Sequence, residues 1–388
     1  MSPSKSLPDG WIETTFGAVV SPVSVNDKKI PRSEYLESAR FPVIDQGQQF
    51  IGGYSDDETK VISEDLPLLV FGDHTRAFKY LNQPFIPGAD GIKVLKPKGV
   101  DPKWLYQIAH ALDLPDKGYA RHYQHLKAAK LFVPPLSEQR RIVAEIEQQF
   151  TRLDAGVAAL RRTQANLKRY RAAVLKTAFT RTKDDSEKPW PTTTLGAVAK
   201  TSSGGTPKRG VPEYYNGSIP WVKSGELGDQ VVTEAAETIT AAGVANSSAK
   251  IFPKGTLCVA LYGATVGKLG ILGMDAATNQ AVCGIFLPSE IDIRFAYRFL
   301  ESQRRQLIES AKGGAQPNIS QEIVRNLEIP MPPLAEQKRI IAEVERCLSV
   351  VDELGSVVKA NLQRATRLRQ SILRRAFHGN PDLIANIS

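Results

Sequence analysis

A glycine-rich stretch in the second half of this sequence has residue types that could bind phosphate. Residues 263–268 read Gly-Ala-Thr-Val-Gly-Lys, one residue shorter than a phosphate-binding loop, and Leu269 stands where such a loop places a magnesium-binding Ser or Thr. His122 and His125 have the spacing of a metal-binding pair, but no thiol or carboxylate cluster accompanies them. The chain also lacks the GxSxG and HExxH motifs of hydrolases. We therefore predict neither catalysis nor a metal site.

Polar loops offer a different chemistry, the recognition of nucleic acid. Arg pairs with guanine edges and Gln or Asn with adenine edges, whereas Lys and Thr commonly hold phosphate. Any one such loop can also be a simple turn, but these loops recur at equivalent positions in both halves of the chain. The candidate DNA contacts are Gln46, Gln48, His74, Thr75, Arg76, Lys79, Arg121, His122 and Gln124 in the first half, and Thr206, Lys208, Arg209, Lys223, Ser224, Tyr262, Thr265, Asn279, Gln280, Gln316 and Asn318 in the second.

The composition favours a polyanionic partner. The 388 residues include 50 Lys and Arg against 41 Asp and Glu, a net charge of +9. No apolar run approaches the ~20 residues needed to cross a membrane, and residues 1–5 do not read as a hydrophobic signal segment. The three cysteines lack CxxC spacing, so neither zinc nor a disulfide framework is indicated. We expect a cytoplasmic protein that binds nucleic acid and no membrane.

A repeated block positions the loops. Residues 134–147 read PPLSEQRRIVAEIE, and residues 332–345 read PPLAEQKRIIAEVE, 198 positions later. Each block opens a heptad in which one seam position is apolar at every turn, which predicts two coiled-coil helices of roughly 40 residues. The double proline isolates each helix from the preceding segment, and Ser137 is expected to cap the first helix.

The two helices are expected to pair with each other. Since the chain returns between the copies, an antiparallel pair is favoured. The polar seam residues Gln164, Arg171 and Arg369 would then fix the register at some cost in stability. An intermolecular coiled coil is the alternative.

The duplication extends beyond the helices to the whole half-chain. Residues 11–19 (WIETTFGAV) recur as 190–198 (WPTTTLGAV) at an offset of 179, which grows to 198 at the double prolines. The second half therefore carries extra residues early and late in its globular part. Apolar runs between Gly and Pro predict strands, each pair followed by a helix, in an α+β pattern. The expected strands are 66–71, 92–95, 257–261 and 283–287, and the expected helices are 102–112 and 292–311.

Several further motifs accompany the repeated blocks. They are GGTP at 204–207, IPWV at 219–222 and GAQPNIS at 314–320, all absent from the first globular part. Together with the repeats, these motifs make the chain resemble the specificity subunits of type I restriction–modification enzymes over nearly its whole length. Because the first part lacks the three motifs, contact residues are not transferred from one globular part to the other.

The resemblance implies an α+β fold with two globular target recognition domains separated by two long helices, which form an antiparallel coiled coil with an internal pseudo-twofold repeat. The implied boundaries are a first recognition domain at 1–133, a first spacer helix at 134–180, a linker at 181–189, a second recognition domain at 190–331, a second spacer helix at 332–379 and a tail at 380–388.

The resemblance also implies a DNA-reading subunit that has no catalysis and binds no cofactor itself. Its target in double-stranded DNA would be bipartite and asymmetric. Two adenine-N6 methyltransferase subunits, which bind S-adenosylmethionine, would dock on the chain, and one or two restriction and translocation subunits would use ATP and magnesium. The pseudo-twofold repeat offers two equivalent docking surfaces, and our hypothesis places them on the outer helix faces around Arg140, Arg141, Lys338 and Arg339. The alternatives are a methylation-only system, a self-contained methyltransferase or nuclease, and an interaction scaffold without a DNA role.

Overall fold

A computed structural model describes residues 7–88, 91–115, 118, 120–180, 190–311 and 318–377 of the protein. Contacts divide the chain into two compact units. Unit 1 comprises Met1–Arg161 with Lys359–Ser388, and unit 2 comprises Arg162–Val358. Within the described residues, no helix is both long and apolar enough to cross a membrane. Gln316, most of the 314–320 motif, the expected linker at 181–189 and the expected tail at 380–388 lie outside the described residues.

The elements follow the chain in two similar series, each ending in a long helix. The first series is β1 (Ile12–Thr15), β2 (Val20–Val23), β3 (Phe41–Ile44), β4 (Gly53–Ser55), β5 (Leu68–Gly72), β6 (Phe78–Leu81), β7 (Ile86–Pro87), β8 (Ile92–Pro97), α1 (Pro102–Ala111), α2 (Tyr123–Ala128), β9 (Lys130–Val133) and α3 (Leu136–Ala178). The second is β10 (Thr192–Thr194), α4 (Leu195–Val198), β11 (Lys200–Ser203), β12 (Tyr215–Val222), β13 (Gln230–Val232), β14 (Glu237–Ile239), α5 (Ala241–Ala245), β15 (Ile251–Phe252), β16 (Leu257–Ala260), β17 (Leu269–Leu272), β18 (Ala276–Thr278), β19 (Val282–Phe286), α6 (Ile293–Ser310), α7 (Gln321–Arg325), β20 (Glu328–Pro330) and α8 (Leu334–Phe377).

Unit 1 contains an antiparallel sheet in the order β2-β8-β5-β6 and a smaller sheet in the order β4-β3-β7, in which β3 and β7 run parallel. Every residue of β5 is buried, as expected for a central apolar strand. Helix α1 starts at an Asp101 cap followed by a proline, and it buries Trp104 in a core shared with Phe16 and Leu69.

Unit 2 repeats this topology, with β11-β19-β16-β17-β13 in one sheet and β14-β12-β18-β15 in the other, where β12 and β18 run parallel. Unit 2 has the additional edge strand β13 in its first sheet, and its helix α6 has 18 residues against 10 for α1. The predicted strands and helices are confirmed, with ends that differ by one or two residues. The two units therefore share their strand order and differ in the segments that connect the strands.

Within each unit, segments of α3 and α8 lie side by side and antiparallel. In unit 1 an apolar seam that includes Ile146 and Leu373 is buried, and Arg369 donates to Asp154. In unit 2 Arg171 donates to Asp352 over 2.8 Å. The two ion pairs are equivalent, since 198 positions separate their arginines and also their aspartates. The intramolecular pairing expected from the heptads is confirmed inside both units, and Gln164 is exposed.

The expected Ser137 cap is wrong. Helix α3 begins one residue earlier, at Leu136, and the Gln139 amide already donates to the Pro135 carbonyl over 3.0 Å. Ser137 is therefore an exposed residue inside the first turn. Because the helix begins at Leu136, Pro135 holds the N-cap position and Ser137 lies past it.

Candidate nucleic-acid interface

Many of the predicted contact residues follow the ends of equivalent strands in the two units. In unit 2 the loops after β11, β12, β16 and β18 carry all of them except Gln316 and Asn318. In unit 1 the loops after β3 and β5 carry five of the nine, whereas Lys79 lies in β6 and the other three lie at the start of α2. Strands β3 and β12 occupy the same place in their sheets, as do β5 and β16. Loops at equivalent positions of the two units therefore carry different side chains.

In unit 2, two glycines bring the loop after β11 onto the end of β18. The Gly205 amide donates to the Thr278 carbonyl over 2.8 Å, and a Cβ on Gly204 would lie 2.2 Å from that same oxygen. A Cβ on Gly205 would lie 2.2 Å from the backbone carbon of Ser248. Only glycine permits these approaches. They place Thr206 against Gln280, whose side-chain oxygen accepts a hydrogen bond from the threonine hydroxyl.

A side-chain hydrogen bond joins the GGTP stretch to the IPWV stretch. Trp221, which is 1% exposed, donates its indole N–H to the Gly205 carbonyl over 3.0 Å. The Tyr215 hydroxyl donates to the Pro207 carbonyl. The guanidinium carbon of Arg209 then lies 4.8 Å from the Tyr215 ring centre and 4.9 Å from that of Trp221. Both distances are in the cation–π range, so the exposed arginine rests on a fixed aromatic floor.

One carboxylate joins two of the predicted cations. Glu237 accepts from Lys223 Nζ and from Arg209 over 2.7 Å each. These hydrogen bonds, that from Lys223 first, lower the pKa of Glu237, and Glu237 raises the pKa of Arg209. The Glu226 carboxylate fixes the same turn, accepting from the amides of Lys223 and Ala236 over 2.7 Å each.

The remaining predicted residues of unit 2 surround this turn and the loop after β16. Ser224 is half-buried in a short 3-10 turn, and the Asn279 amide donates to the Val222 carbonyl over 3.0 Å. The buried Asn279 Oδ1 has no hydrogen-bond partner among the described residues. The loop after β16 holds Thr265 and Tyr262, and an isolated bridge pairs Tyr262 with the exposed Asn318. Lys208 is also exposed.

In unit 1, hydrogen bonds join the loop after β3 to the loop after β5. The Thr75 hydroxyl donates to the Gln46 carbonyl, and the exposed Gln48 side chain donates to the Thr75 carbonyl over 3.2 Å. His74 lies with its ring Nδ1 3.2 Å from the Ala120 carbonyl, and Arg76 donates to the Leu114 carbonyl over 3.1 Å. All five predicted residues therefore lie on two loops that are hydrogen-bonded to each other.

Two predicted residues of unit 1 lie inside it. Lys79 is 3% exposed and donates to the Asp45 carbonyl over 2.7 Å, and burial lowers its pKa. His122 is fully buried, with its amide donating to the Asp73 carbonyl over 2.9 Å and its ring Nδ1 3.0 Å from the same oxygen. Both side chains contact backbone carbonyls inside the unit. Arg121 and Gln124, on either side of His122 in the sequence, are exposed.

Sequence reasoning missed two groups that shape these surfaces. The carboxylates of Glu226 and Glu237 carried no motif, because their partners are distant in sequence or lie on the backbone. Among the described residues, no group of three or more His, Cys, Asp or Glu side chains could hold a metal ion.

The chain matches known proteins both in sequence and in fold. Residues 187–354 match the family model of the type I restriction modification DNA specificity domain. The specificity subunit of the type I restriction enzyme EcoR124I/EcoR124II from Escherichia coli is 24% identical over 88% of this chain and 86% of its own length. The specificity subunit of EcoBI, also from Escherichia coli, is 26% identical over 67% and 62%.

Two solved structures share the fold. One, from work on complex assembly and conformational transition of the type I R-M system, has a TM-score of 0.74 at 20% identity and covers 96% of this chain and 99% of its own. The HsdS subunit from Thermoanaerobacter tengcongensis has a TM-score of 0.57 at 20% identity, covering 97% and 98%. Residues 187–354 thus match the type I restriction modification DNA specificity domain, and over most of its length the chain is similar to the specificity subunits of type I restriction enzymes.

Proposed function

We propose that this protein is the DNA sequence-recognition subunit of a type I restriction–modification complex and that it reads a bipartite, asymmetric target. It has no catalysis of its own. It positions two adenine methyltransferase subunits and one or two ATP-dependent restriction subunits. A methylation-only complex without the restriction subunit is the second reading.

One observation carries this proposal: the same topology occurs twice in the chain, with different side chains on the equivalent loops. Two readers of one kind with unlike contact residues will read unlike half-sites. The exposed contacts in the two units include Gln48, Arg121, Lys208, Arg209 and Gln280. Their amide and guanidinium groups suit base edges, and the lysine suits phosphate.

The proposed recognition domains are residues 1–133 and 190–331, with spacer helices at 134–180 and 332–379. Rigid helices of 43 and 44 residues are suited to fixing the gap between half-sites. The net charge of +9 supports DNA as the partner.

The decisive experiment maps adenine methylation in cells that carry this chain with its neighbouring methyltransferase. Residues 11–133 and 190–331 are exchanged, one at a time, for the equivalent residues of another specificity subunit. We expect a two-part motif with a fixed gap, in which each exchange alters one half only. Methylation that is absent, or that ignores both exchanges, would contradict the proposal and leave a scaffold without a DNA role.

A further inference from the structure

Arg209 combines two properties that seldom occur together, exposure and immobilisation. Its side chain is 56% exposed, yet its guanidinium rests on the rings of Tyr215 and Trp221 and donates one N–H to Glu237. Those supports are themselves fixed, since Trp221 is 1% exposed and bonded to the Gly205 carbonyl. An arginine held in this way loses little conformational entropy when it binds a ligand.

The free edge of this guanidinium is available for recognition. Arginine carries five N–H donors in a planar fork, and among the described residues one carboxylate, Glu237, is the hydrogen-bond acceptor for them. The fork matches the O6 and N7 acceptors of guanine in the major groove.

The local charge favours a base edge over a phosphate. Glu237 also accepts from Lys223, so two cations share one anion and the cluster carries a single net positive charge. A carboxylate within hydrogen-bond distance of the arginine repels an approaching phosphate but interacts far less with a neutral base. The neighbouring Lys208 is exposed and is suited to the phosphate role.

We propose that Arg209 reads a guanine in the half-site of unit 2, and that Glu237 is the residue that positions it. This inference rests on the proposed function, and it adds a base identity and a residue that the family resemblance does not supply. Tyr215 and Trp221 form the floor that fixes the plane of the guanidinium.

The test is methylation mapping of the genome of cells expressing the methyltransferase with the wild-type chain, with Arg209→Lys or with Glu237→Gln. Arg209→Lys keeps the charge but loses the planar fork. We expect discrimination at one G·C pair of the unit 2 half-site to fall by about tenfold to a hundredfold, because a bidentate contact is lost. Glu237→Gln keeps the shape of the side chain but removes its charge. We expect it to lower discrimination at the same base pair by a few fold.

Two matched substitutions serve as controls. Glu234→Gln makes the same charge change at an exposed carboxylate three residues away and is expected to leave the motif unchanged. Lys208→Gln is expected to weaken methylation equally for all sequences, as a phosphate contact does. The half-site that exchange of residues 11–133 alters must stay unchanged in every variant, which shows that each chain is folded and assembled.

If Arg209→Lys lowers base discrimination at every position of the half-site, or at none, the inference is overturned while the proposed function stays intact. A unit 2 half-site without a G·C pair would also overturn it. If Arg209→Lys abolishes methylation, competition binding of the purified complex to duplexes with each base pair changed in turn decides the matter. A uniform loss there overturns the inference, and a loss confined to one G·C pair supports it. A wild-type chain that yields no bipartite motif would instead refute the proposed function, and this inference with it.

Discussion

At the scale of single residues, burial keeps several polar and thiol side chains of this protein from contacting ligands or reagents. Lys79 and His122 have the chemistry of DNA contacts but lie inside unit 1 as supports for its loops. Arg209 has the same kind of chemistry and lies exposed. Residue type alone does not separate these roles, since burial depends on the packing of strands far apart in the sequence.

The cysteines show the same effect. Cys258 and Cys283 are fully buried on adjacent strands, and burial raises the pKa of both thiols to about 12. They lie on opposite faces of the sheet, because Cys283 is paired with Val259, the neighbour of Cys258. They cannot form a disulfide with each other in this fold.

We expect one reactive thiol in the folded protein. A pKa near 12 leaves almost no thiolate at pH 8, so Ellman's reagent should modify the half-buried Cys347 rapidly and leave the two buried thiols intact. Three thiols should react after unfolding in guanidinium. The Cys347→Ser variant should lose the rapid phase; two or more rapid thiols in the native wild type would contradict this account.

At the scale of elements, one buried glutamine joins each long helix to a globular part. The Gln139 side chain accepts from the Asp101 amide over 2.7 Å and donates to the Pro134 carbonyl over 2.8 Å. Gln337, its equivalent, accepts from the Asp292 amide over 2.9 Å and donates to the Pro332 and Glu290 carbonyls over 3.0 Å each. Both aspartates are the N-caps of helices, α1 and α6. The repeated block thus ties the start of one helix to the start of another.

Replacing Gln337 by leucine should destabilise the protein by about 2–3 kcal/mol, because buried backbone groups lose their partners. The measurement is the urea midpoint of the purified chain, followed by circular dichroism. Gln363→Leu makes the same change at an exposed position of the same helix and is expected to shift the midpoint little. Equal shifts for the two variants would show that the buried hydrogen bonds contribute nothing.

At the scale of the whole molecule, the repeated blocks carry equivalent charged surfaces. Arg141 pairs with Glu138 and Arg339 with Glu336, each over 2.7 Å, and all four side chains occupy equivalent positions. Lys338 and Arg140 beside them are exposed. Two equivalent surfaces suit two copies of one partner. We propose them as the docking surfaces of the methyltransferase subunits.

Charge reversal tests that proposal. The double variant Arg141→Glu with Arg339→Glu should lose co-purification of the methyltransferase, and each single variant should retain one copy of the two. Arg305→Glu is the matched control, since Arg305 is also an exposed helical arginine paired with a glutamate, over 2.8 Å. If the double variant assembles as the control does, the docking surfaces lie elsewhere.

The sequence by itself determined the repeated architecture. Helix periodicity and apolar runs are local signals, so the long helices and the strands at 68–72 and 257–260 could be predicted to within one or two residues. The seam arginines Arg171 and Arg369 could be identified as register elements, because a cation in an apolar seam needs a partner.

Only the tertiary structure decided which residues meet. The aspartate partner of Arg171 is 181 positions away, and Glu237 is 28 from Arg209 and 14 from Lys223, distances at which no periodic signal survives. The start of α3 at Leu136 and the burial of Lys79 and His122 likewise depend on contacts made by segments remote in sequence. Local pattern specifies each element, whereas the faces that two elements bury against each other fix the site.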